Sequence, residues 1–136
     1  MAICTFFGHS DCPDSVFDNI RKAITDLYEN HNVTEYYVGN HGNYDLMALR
    51  ALKEMQRIYP QIRFTVVLAY YPKEYIAESI FPEELEGVPK KFCIDKRNRW
   101  MLKKSEIVVV YIRRNAGGAA KYTALAEKNG KTVIKL

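Results

Sequence analysis

Three turns that contain glycine constrain the fold of this chain more than any other feature. Each turn follows a short apolar run and precedes a segment with helical periodicity. They are Phe7-Gly8-His9, Gly39-Asn40-His41-Gly42 and Ala116-Gly117-Gly118. Apolar runs that alternate with helices are typical of a parallel α/β sheet, in which all strands end at the same edge. The three turns are therefore expected to converge at one edge of such a sheet.

The periodicity of the whole chain predicts about five strands, with a brief extra strand at 92–94. The five are residues 3–7, 35–38, 62–70, 107–112 and 132–136. Helices are predicted at residues 13–30, 43–59, 74–80, 96–104 and 119–128. Right-handed crossovers place helices on both faces, so we expect a Rossmann-like three-layer α/β/α fold with a mostly parallel sheet. The strand order should reverse where the first strand meets 107–112, which would place Gly8 beside Gly117 and Gly118.

Length and composition indicate an ordinary folded protein. At 136 residues, 48% hydrophobic and 26% charged, the chain is predicted to form one domain over 1–136. It contains no apolar run of about 18 residues and no leader-like N-terminus, so we expect a cytoplasmic protein without a membrane segment. Cys4, Cys12 and Cys93 are odd in number and widely spaced, which argues against a disulfide framework. Cys4, His9 and Cys12 have no fourth ligand at a sensible spacing, and we expect no metal.

Positive charge is concentrated in one part of the sequence. Between Lys90 and Arg114 there are nine Lys and Arg residues against Asp95 and Glu106. That segment carries a formal charge of +7 and the rest of the chain −3. Such a concentration suits a phosphate group or a short stretch of nucleic acid, and a solvated helix face is the alternative explanation.

Four short motifs, taken together, resemble those of a known family. They are CTFFGHS at 4–10, GNHGNYD at 39–45, RNRWM at 97–101 and NAGGA at 115–119. Their order and their strand–turn–helix context resemble the SLOG superfamily, which includes the SMF/DprA and LOG Rossmann-like proteins, and within it the YpsA-like branch. One departure is Ser10, which stands where the family often has Arg after Gly-His.

The resemblance implies that a nucleotide or a nucleotide derivative binds at the glycine turns. Some relatives, the LOG enzymes, hydrolyse nucleoside monophosphates and carry Gly-Gly-x-Gly-Thr-x-x-Glu, in which the Glu serves the chemistry. Here Ala120, Lys121 and Ala124 replace the third Gly, the Thr and the Glu. Because alanine cannot act as a general base, we expect no catalytic residue and no cofactor beyond the nucleotide-like ligand itself. Other relatives are thought to sense nucleotides, and the DprA branch handles single-stranded DNA.

The predicted ligand-binding residues lie at the turns and in the basic segment. They are Gly8, His9, Gly39, Gly42, Asp45, Arg97, Arg113, Gly117 and Gly118. Backbone N–H groups of Gly117 and Gly118 suit a phosphate, which Arg113 and an Arg97 at the start of a helix would reinforce, although Gly-Gly also forms plain tight turns. His9 is a candidate donor to a phosphate or a stacking surface for a base. Asp45 is either a ligand to ribose hydroxyls or a helix cap.

We therefore predict a protein that binds a nucleotide-derived small molecule as a sensor or regulator. A nucleoside-phosphate glycosidase that uses a displaced acid, Glu127 or Asp45, is the first alternative. A nucleic-acid binding module that uses residues 90–114 is the second. The resemblance also implies association between copies of the chain, with no surface assigned to it.

Overall fold

The computed structural model describes residues 2–136 as an alternation of strands and helices. The strands are β1 Ile3–Gly8, β2 Glu35–Val38, β3 Arg63–Val67, β4 Ser79–Ile80, β5 Ile107–Tyr111 and β6 Thr132–Lys135. The α-helices are α1 Phe17–His31, α2 Gly42–Ile58, α3 Lys90–Lys104 and α4 Gly118–Lys128, with short 3₁₀ helices at Asp14–Val16 and Glu83–Leu85. None of the helices in this part of the chain combines the length and the apolar character that a membrane crossing requires.

The strands form one parallel sheet in the order β4-β3-β2-β1-β5-β6. The predicted Rossmann-like α/β fold is confirmed, with six strands where about five were expected. β1 lies beside β5, with Gly8 opposite Tyr111, so the order reverses at the predicted place. In sheets of this kind the crevice beyond that reversal is the usual place for a ligand.

Helices cover both faces of the sheet because successive side chains of a strand point to opposite faces. On one face, Phe6 and Val109 pack in the core with α1 and α2. On the other face, Phe7 packs with Met101 of α3 and Tyr122 of α4. The nearly continuous apolar sequence of β1 and β5 reflects burial on both sides.

Two local predictions were wrong. Residues 92–94, predicted as a strand, lie inside α3, which begins directly after Pro89 and six residues earlier than expected. Residues 74–80, predicted as a helix, are irregular and end in β4, because Glu78 has a φ of 57° that a helix does not accommodate. The Ser79 hydroxyl donates to the carbonyl of Ile76 and holds this bend at the edge of the sheet.

Candidate functional site

A cavity of about 230 Å³ lies where the strand order reverses. It is lined by Phe7, Gly8, His9, Ser10, His41, Asp45, Ile94, Arg97, Asn98, Arg114, Gly117, Gly118, Ala119 and Tyr122. Six of the nine predicted site residues are in this lining: Gly8, His9, Asp45, Arg97, Gly117 and Gly118. The structure therefore brings together residues from all three glycine-bearing turns and from α3.

The N-terminus of α4 forms one side of the cavity. Gly117 is the N-cap residue and has a φ of 89°, a conformation that favours glycine. No side chain caps this helix, and its first turn contains no acidic residue. Gly118 and Ala119 line the cavity, so this end of the helix presents backbone N–H groups and the positive end of its dipole to whatever occupies the space.

Gly8 is required by packing beneath the cavity. A Cβ at this position would lie 2.3 Å from Cγ of Tyr44, far closer than real contacts allow. Tyr44 is fully buried, and its hydroxyl donates to the carbonyl of Val109 at 2.8 Å. The ring of Tyr44, a residue of α2, thus fills the space under the turn. His9, the residue after Gly8, lines the cavity.

Two histidines in the lining are neutral at pH 7. Nε2 of His9 accepts a hydrogen bond from the backbone N–H of Arg113 at 3.0 Å, which puts the ring proton on Nδ1. Burial and the charge of Arg114 lower the pKa of His9. Burial and the charge of Arg97 likewise lower the pKa of His41, whose Nδ1 lies 3.4 Å from Nη2 of Arg97. Each ring can donate one hydrogen bond without adding charge.

Arg97 lies in the middle of α3, not at a helix start as predicted, and is 1% exposed. Nη1 donates to the carbonyl of Val67 at 2.9 Å and to Oδ1 of Asn40 at 3.4 Å, and Nε donates to Oδ1 of Asn98 at 2.7 Å. These bonds tie α3 to the end of β3 and to the turn after β2. Arg97 therefore supplies positive charge beneath the cavity while most of its donors are already engaged.

Asp45 is half-buried and lines the cavity. Its Oδ2 accepts the backbone N–H of His41 at 3.0 Å, so the carboxylate stabilises the turn that begins α2. Burial raises the pKa of Asp45 to about 6, against the lowering effects of that hydrogen bond and of Arg97. A Cβ on Gly39 would lie 2.6 Å from Oδ2 of Asp45 and 2.9 Å from Arg97. Glycine at position 39 therefore leaves room for both side chains.

Gly39, Gly42 and Arg113 are outside the cavity lining. Gly42 begins α2 and packs against Ser10. The guanidinium of Arg113 lies over the ring of Tyr111 and donates to the carbonyls of Ile112 and Leu136. The neighbouring Arg114 lines the cavity instead, where it pairs with Asp11 at 3.1 Å.

Sequence reasoning did not select several side chains of the lining, among them Tyr122. Its hydroxyl donates to Asp95 of α3, which also accepts hydrogen bonds from Lys121 at 2.9 Å and Arg99 at 3.0 Å. Although burial opposes the change, these three donors lower the pKa of Asp95 to about 2. Asp95 thus joins α3 to α4 beside the cavity and fixes the position of Tyr122.

The acidic residue proposed for an enzymatic alternative is elsewhere. Glu127 lies 3.8 Å from Lys135 and lines a different groove together with Ala124. Of the acids considered, the cavity lining contains Asp45. Among residues 2–136, no three His, Cys, Asp or Glu side chains are grouped so that they could hold a metal ion.

No protein-family model matches this chain, and no curated protein matches it. Solved structures do. DNA processing protein A (DprA) from Streptococcus pneumoniae has a TM-score of 0.71 and 18% identity, over 99% of this chain and 50% of that protein. The molybdenum cofactor carrier protein from Chlamydomonas reinhardtii has a TM-score of 0.67 and 16% identity, over 99% of this chain and 76% of that protein.

A third structure, described for its single-stranded DNA binding mode, is DprA from Helicobacter pylori. It has a TM-score of 0.64 and 13% identity, over 98% of this chain and 64% of that protein. The chain thus spans half the length of the Streptococcus protein. The YpsA-like branch stays a prediction. The chain has the Rossmann-like fold of DprA and the molybdenum cofactor carrier protein, as its resemblance to the SLOG superfamily implied.

Proposed function

We propose that this chain binds a nucleotide or a nucleotide-derived metabolite in the cavity at the reversal of the sheet, and that it does so as a sensor or regulator. The observation that carries the proposal is the meeting of an uncapped helix N-terminus with polar side chains in one cavity. The neighbours of this fold are named for carrying a cofactor and for processing or binding DNA, which agrees with an anionic ligand.

A phosphate fits the α4 side of the cavity. Backbone N–H groups at Gly118 and Ala119 suit its oxygens, and the helix dipole adds the equivalent of about half a positive charge. Arg114 lies at the same cavity, and Arg97 adds buried positive charge beneath it. The neutral ring of His9 contributes a further donor through Nδ1.

Hydroxyl groups of a sugar suit Asp45 and Asn98, which also line the cavity. Phe7 and Ile94 add apolar surface to the lining. At about 230 Å³ the cavity is smaller than the roughly 300–1,000 Å³ typical of sites that enclose a whole ligand. We therefore expect the phosphate and its sugar to occupy the cavity and the base to extend beyond it.

We assign binding without covalent chemistry. Ala124 stands where the LOG pattern has Glu, and Glu127 is paired with Lys135 away from the cavity. Asp45 is engaged as an acceptor for the turn that begins α2. A glycosidase would have to use Asp45, so release of free base from nucleoside monophosphates would contradict this assignment.

A thermal-shift screen against nucleoside mono-, di- and triphosphates, cyclic dinucleotides and inorganic phosphate tests the proposal. We expect a nucleotide to raise the melting temperature, because a ligand that binds the folded state stabilises it. Gly118→Val should abolish the shift, since the side chain would stand in the position of the phosphate. Gly118→Ala is the matched control, because the nearest atom to a Cβ there, in Tyr122, is 3.6 Å away. No shift with any compound would contradict the proposal.

Nucleic-acid binding is the second candidate, and one observation favours it. A groove between α3 and α4 is lined by Arg99, Leu102, Lys103, Leu125, Asn129 and Lys131, with no acidic residue. A single strand that contacts several of these cations would lose affinity steeply as salt rises. Fluorescence anisotropy with a labelled oligonucleotide, repeated with Lys103→Glu, decides this. Weak binding that does not depend on Lys103 would eliminate the candidate.

A further inference from the structure

Exposed apolar side chains are concentrated on one face of the molecule. Eight large apolar residues in the described part of the chain are well exposed. Six of them fall between residues 71 and 94: Tyr71, Tyr75, Ile76, Ile80, Phe92 and Ile94, of which Ile94 belongs to the lining of the cavity described above. Tyr75 is 88% and Tyr71 79% exposed, and with Ile76 they line a shallow groove of about 370 Å³. Exposed tyrosines that line a groove together with an apolar side chain are typical of a protein–protein interface.

The same face carries opposite charges side by side. The acidic segment, residues 71–86, contains five glutamates and one lysine, a formal charge of −4. The helix that follows, α3, contains seven Lys and Arg residues and one Asp, a formal charge of +6. The two are neighbours in space, because Nε1 of Trp100 in α3 donates to Oε2 of Glu84 at 2.9 Å.

Several of these charges have no ion pair within residues 2–136. Glu83 and Glu86 on the acidic segment, and Lys90 and Lys91 at the start of α3, are exposed and form no salt bridge. Lys90 lies over the ring of Tyr70 at 5.8 Å, which places this end of α3 at the beginning of the acidic segment. Unpaired negative and positive groups therefore flank the exposed tyrosines.

We propose that this face binds a second copy of the chain across a two-fold axis, with the acidic segment of each protomer against the N-terminal half of α3 of its partner. A two-fold interface uses the same surface on both subunits, so that surface must be complementary to itself. Adjacent acidic and basic patches meet this condition, because a two-fold rotation places the acidic patch of one protomer opposite the basic patch of the other. Tyr71 and Tyr75 would form the apolar centre. The proposal is independent of the ligand-binding function.

Sedimentation velocity over a range of protein concentrations at low and high salt gives the first test. We expect a monomer–dimer equilibrium whose dissociation constant rises with salt. Tyr75→Ser should weaken association by about tenfold or more, since central tyrosines dominate such interfaces. Ile58→Ser is the matched control, because Ile58 is 60% exposed on α2 and lies outside the patch. It should leave association unchanged.

Charge reversal gives a second test that does not depend on the tyrosines. Glu83→Lys/Glu86→Lys and Lys90→Glu/Lys91→Glu should each abolish self-association, because each homodimer would then oppose like charges. An equimolar mixture of the two variants should form a heterodimer, since both halves of that interface regain opposite charges. Circular dichroism melting of each variant shows that the fold is intact.

Three results would overturn the proposal. The first is a wild-type protein that stays monomeric at the highest concentration reached. The second is a dimer that Tyr75→Ser and Ile58→Ser affect equally, which would place the interface elsewhere. The third is a mixture of the charge-reversed variants in which no heterodimer forms, which would leave a partner other than this chain as the occupant of the face.

Discussion

Gly8 and Gly118 lie at the same edge of the sheet, but their surroundings differ. A Cβ at Gly8 would overlap the buried ring of Tyr44, whereas a Cβ at Gly118 meets its nearest atom at 3.6 Å. Gly8→Ala should lower the free energy of unfolding by about 1–3 kcal/mol, because the ring cannot move without breaking its bond to Val109. Urea denaturation measures this loss.

Gly118→Ala serves as the control for that substitution. It adds the same methyl group at the start of α4, in open space, and should change the free energy of unfolding by less than about 0.5 kcal/mol. Equal effects at the two positions would show that the ring of Tyr44 does not explain the glycine at position 8.

Asp45 has a stability cost that depends on pH. Its pKa is about 6 in the folded chain against an ordinary value of 3.8, so the folded state binds the proton more tightly. Protonated Asp45 therefore stabilises the fold fully below about pH 4, and this contribution is lost as pH rises through 6. Asp45→Asn keeps an oxygen to accept the N–H of His41 and removes the charge. This variant should be more stable than wild type by about 1–2 kcal/mol at pH 7.5.

The pH profile separates this effect from simple repacking. The advantage of Asp45→Asn should vanish near pH 4, where both side chains are neutral, in melting curves recorded from pH 4 to 8. A uniform loss of stability at every pH would mean that the hydrogen bond to His41, and not the buried charge, governs this position. A carboxylate kept at such a cost beside a cavity is typical of a functional site.

The roles of individual arginines were the least predictable part of the site. Neighbouring residues on a chain that leaves a strand point in different directions, so sequence could not decide between Arg113 and Arg114; the structure places Arg114 at the cavity. Arg97 was predicted as a phosphate ligand at the start of a helix, and it lies instead in the middle of α3, buried among backbone and side-chain acceptors. Sequence shows the charge of a residue but not which carbonyls the fold leaves beside it.

At the scale of elements, one misplaced boundary hid the contribution of α3 to the cavity lining. Phe92, Cys93 and Ile94 are consecutive and apolar, which resembles a short strand, but Pro89 directly precedes the first turn of a helix that contains them. Had α3 been started at residue 90, Ile94, Arg97 and Asn98 would have fallen on one helix face at spacings of three and four. All three line the cavity.

Asp95 joins α3 to α4, and its pKa predicts how that junction responds to acid. Because the folded pKa of about 2 lies below the ordinary 3.8, the carboxylate stabilises the fold above about pH 4 and loses this effect as pH falls toward 2. Asp95→Asn should lower stability by about 1 kcal/mol at pH 7, a modest value because Lys121 and Arg99 are half-exposed.

The difference between Asp95→Asn and wild type should shrink as the pH approaches 2 in acid denaturation followed by circular dichroism. Glu83→Gln, an exposed carboxylate with no ion pair in residues 2–136, is the control and should show no such convergence. A gap that stays constant down to pH 2 would show that Asp95 does not act through its charge.

For the whole molecule, the sequence predicted more than it did for single residues. Alternating periodicity and glycine turns are properties of long segments, and they predicted the parallel sheet, the reversal between β1 and β5, and the approach of Gly8 to Gly118. The edge of the sheet was not predicted, because β4 consists of two residues whose pairing with β3 is a tertiary contact. Tertiary context overrides local preference most easily in such short strands.

We expect the native protein to open first at the edge of the sheet that β4 forms. Chymotrypsin needs an extended segment with an exposed aromatic residue, and Tyr71 and Tyr75 lie in an irregular segment, 79% and 88% exposed. Phe92 is also exposed, but it lies within α3, which must unwind before cleavage. Limited digestion followed by mass spectrometry should therefore show the first cut after Tyr75, and Tyr75→Ser should remove it. The bond after Tyr71 is protected, because Pro72 follows and chymotrypsin does not cut a bond to proline.

The same digestion reports on the face that these tyrosines share. If a second copy of the chain covers the acidic segment, the rate of this cut should fall as protein concentration rises into the range where the dimer forms, because the protease reaches the monomer alone. The charge-reversed variant Lys90→Glu/Lys91→Glu should be cut at the same rate at all concentrations. If the rate for the wild type also does not depend on protein concentration, the tyrosines stay exposed to solvent and no second copy covers them. A first cut within the buried strands would mean that the centre of the sheet opens before its edge.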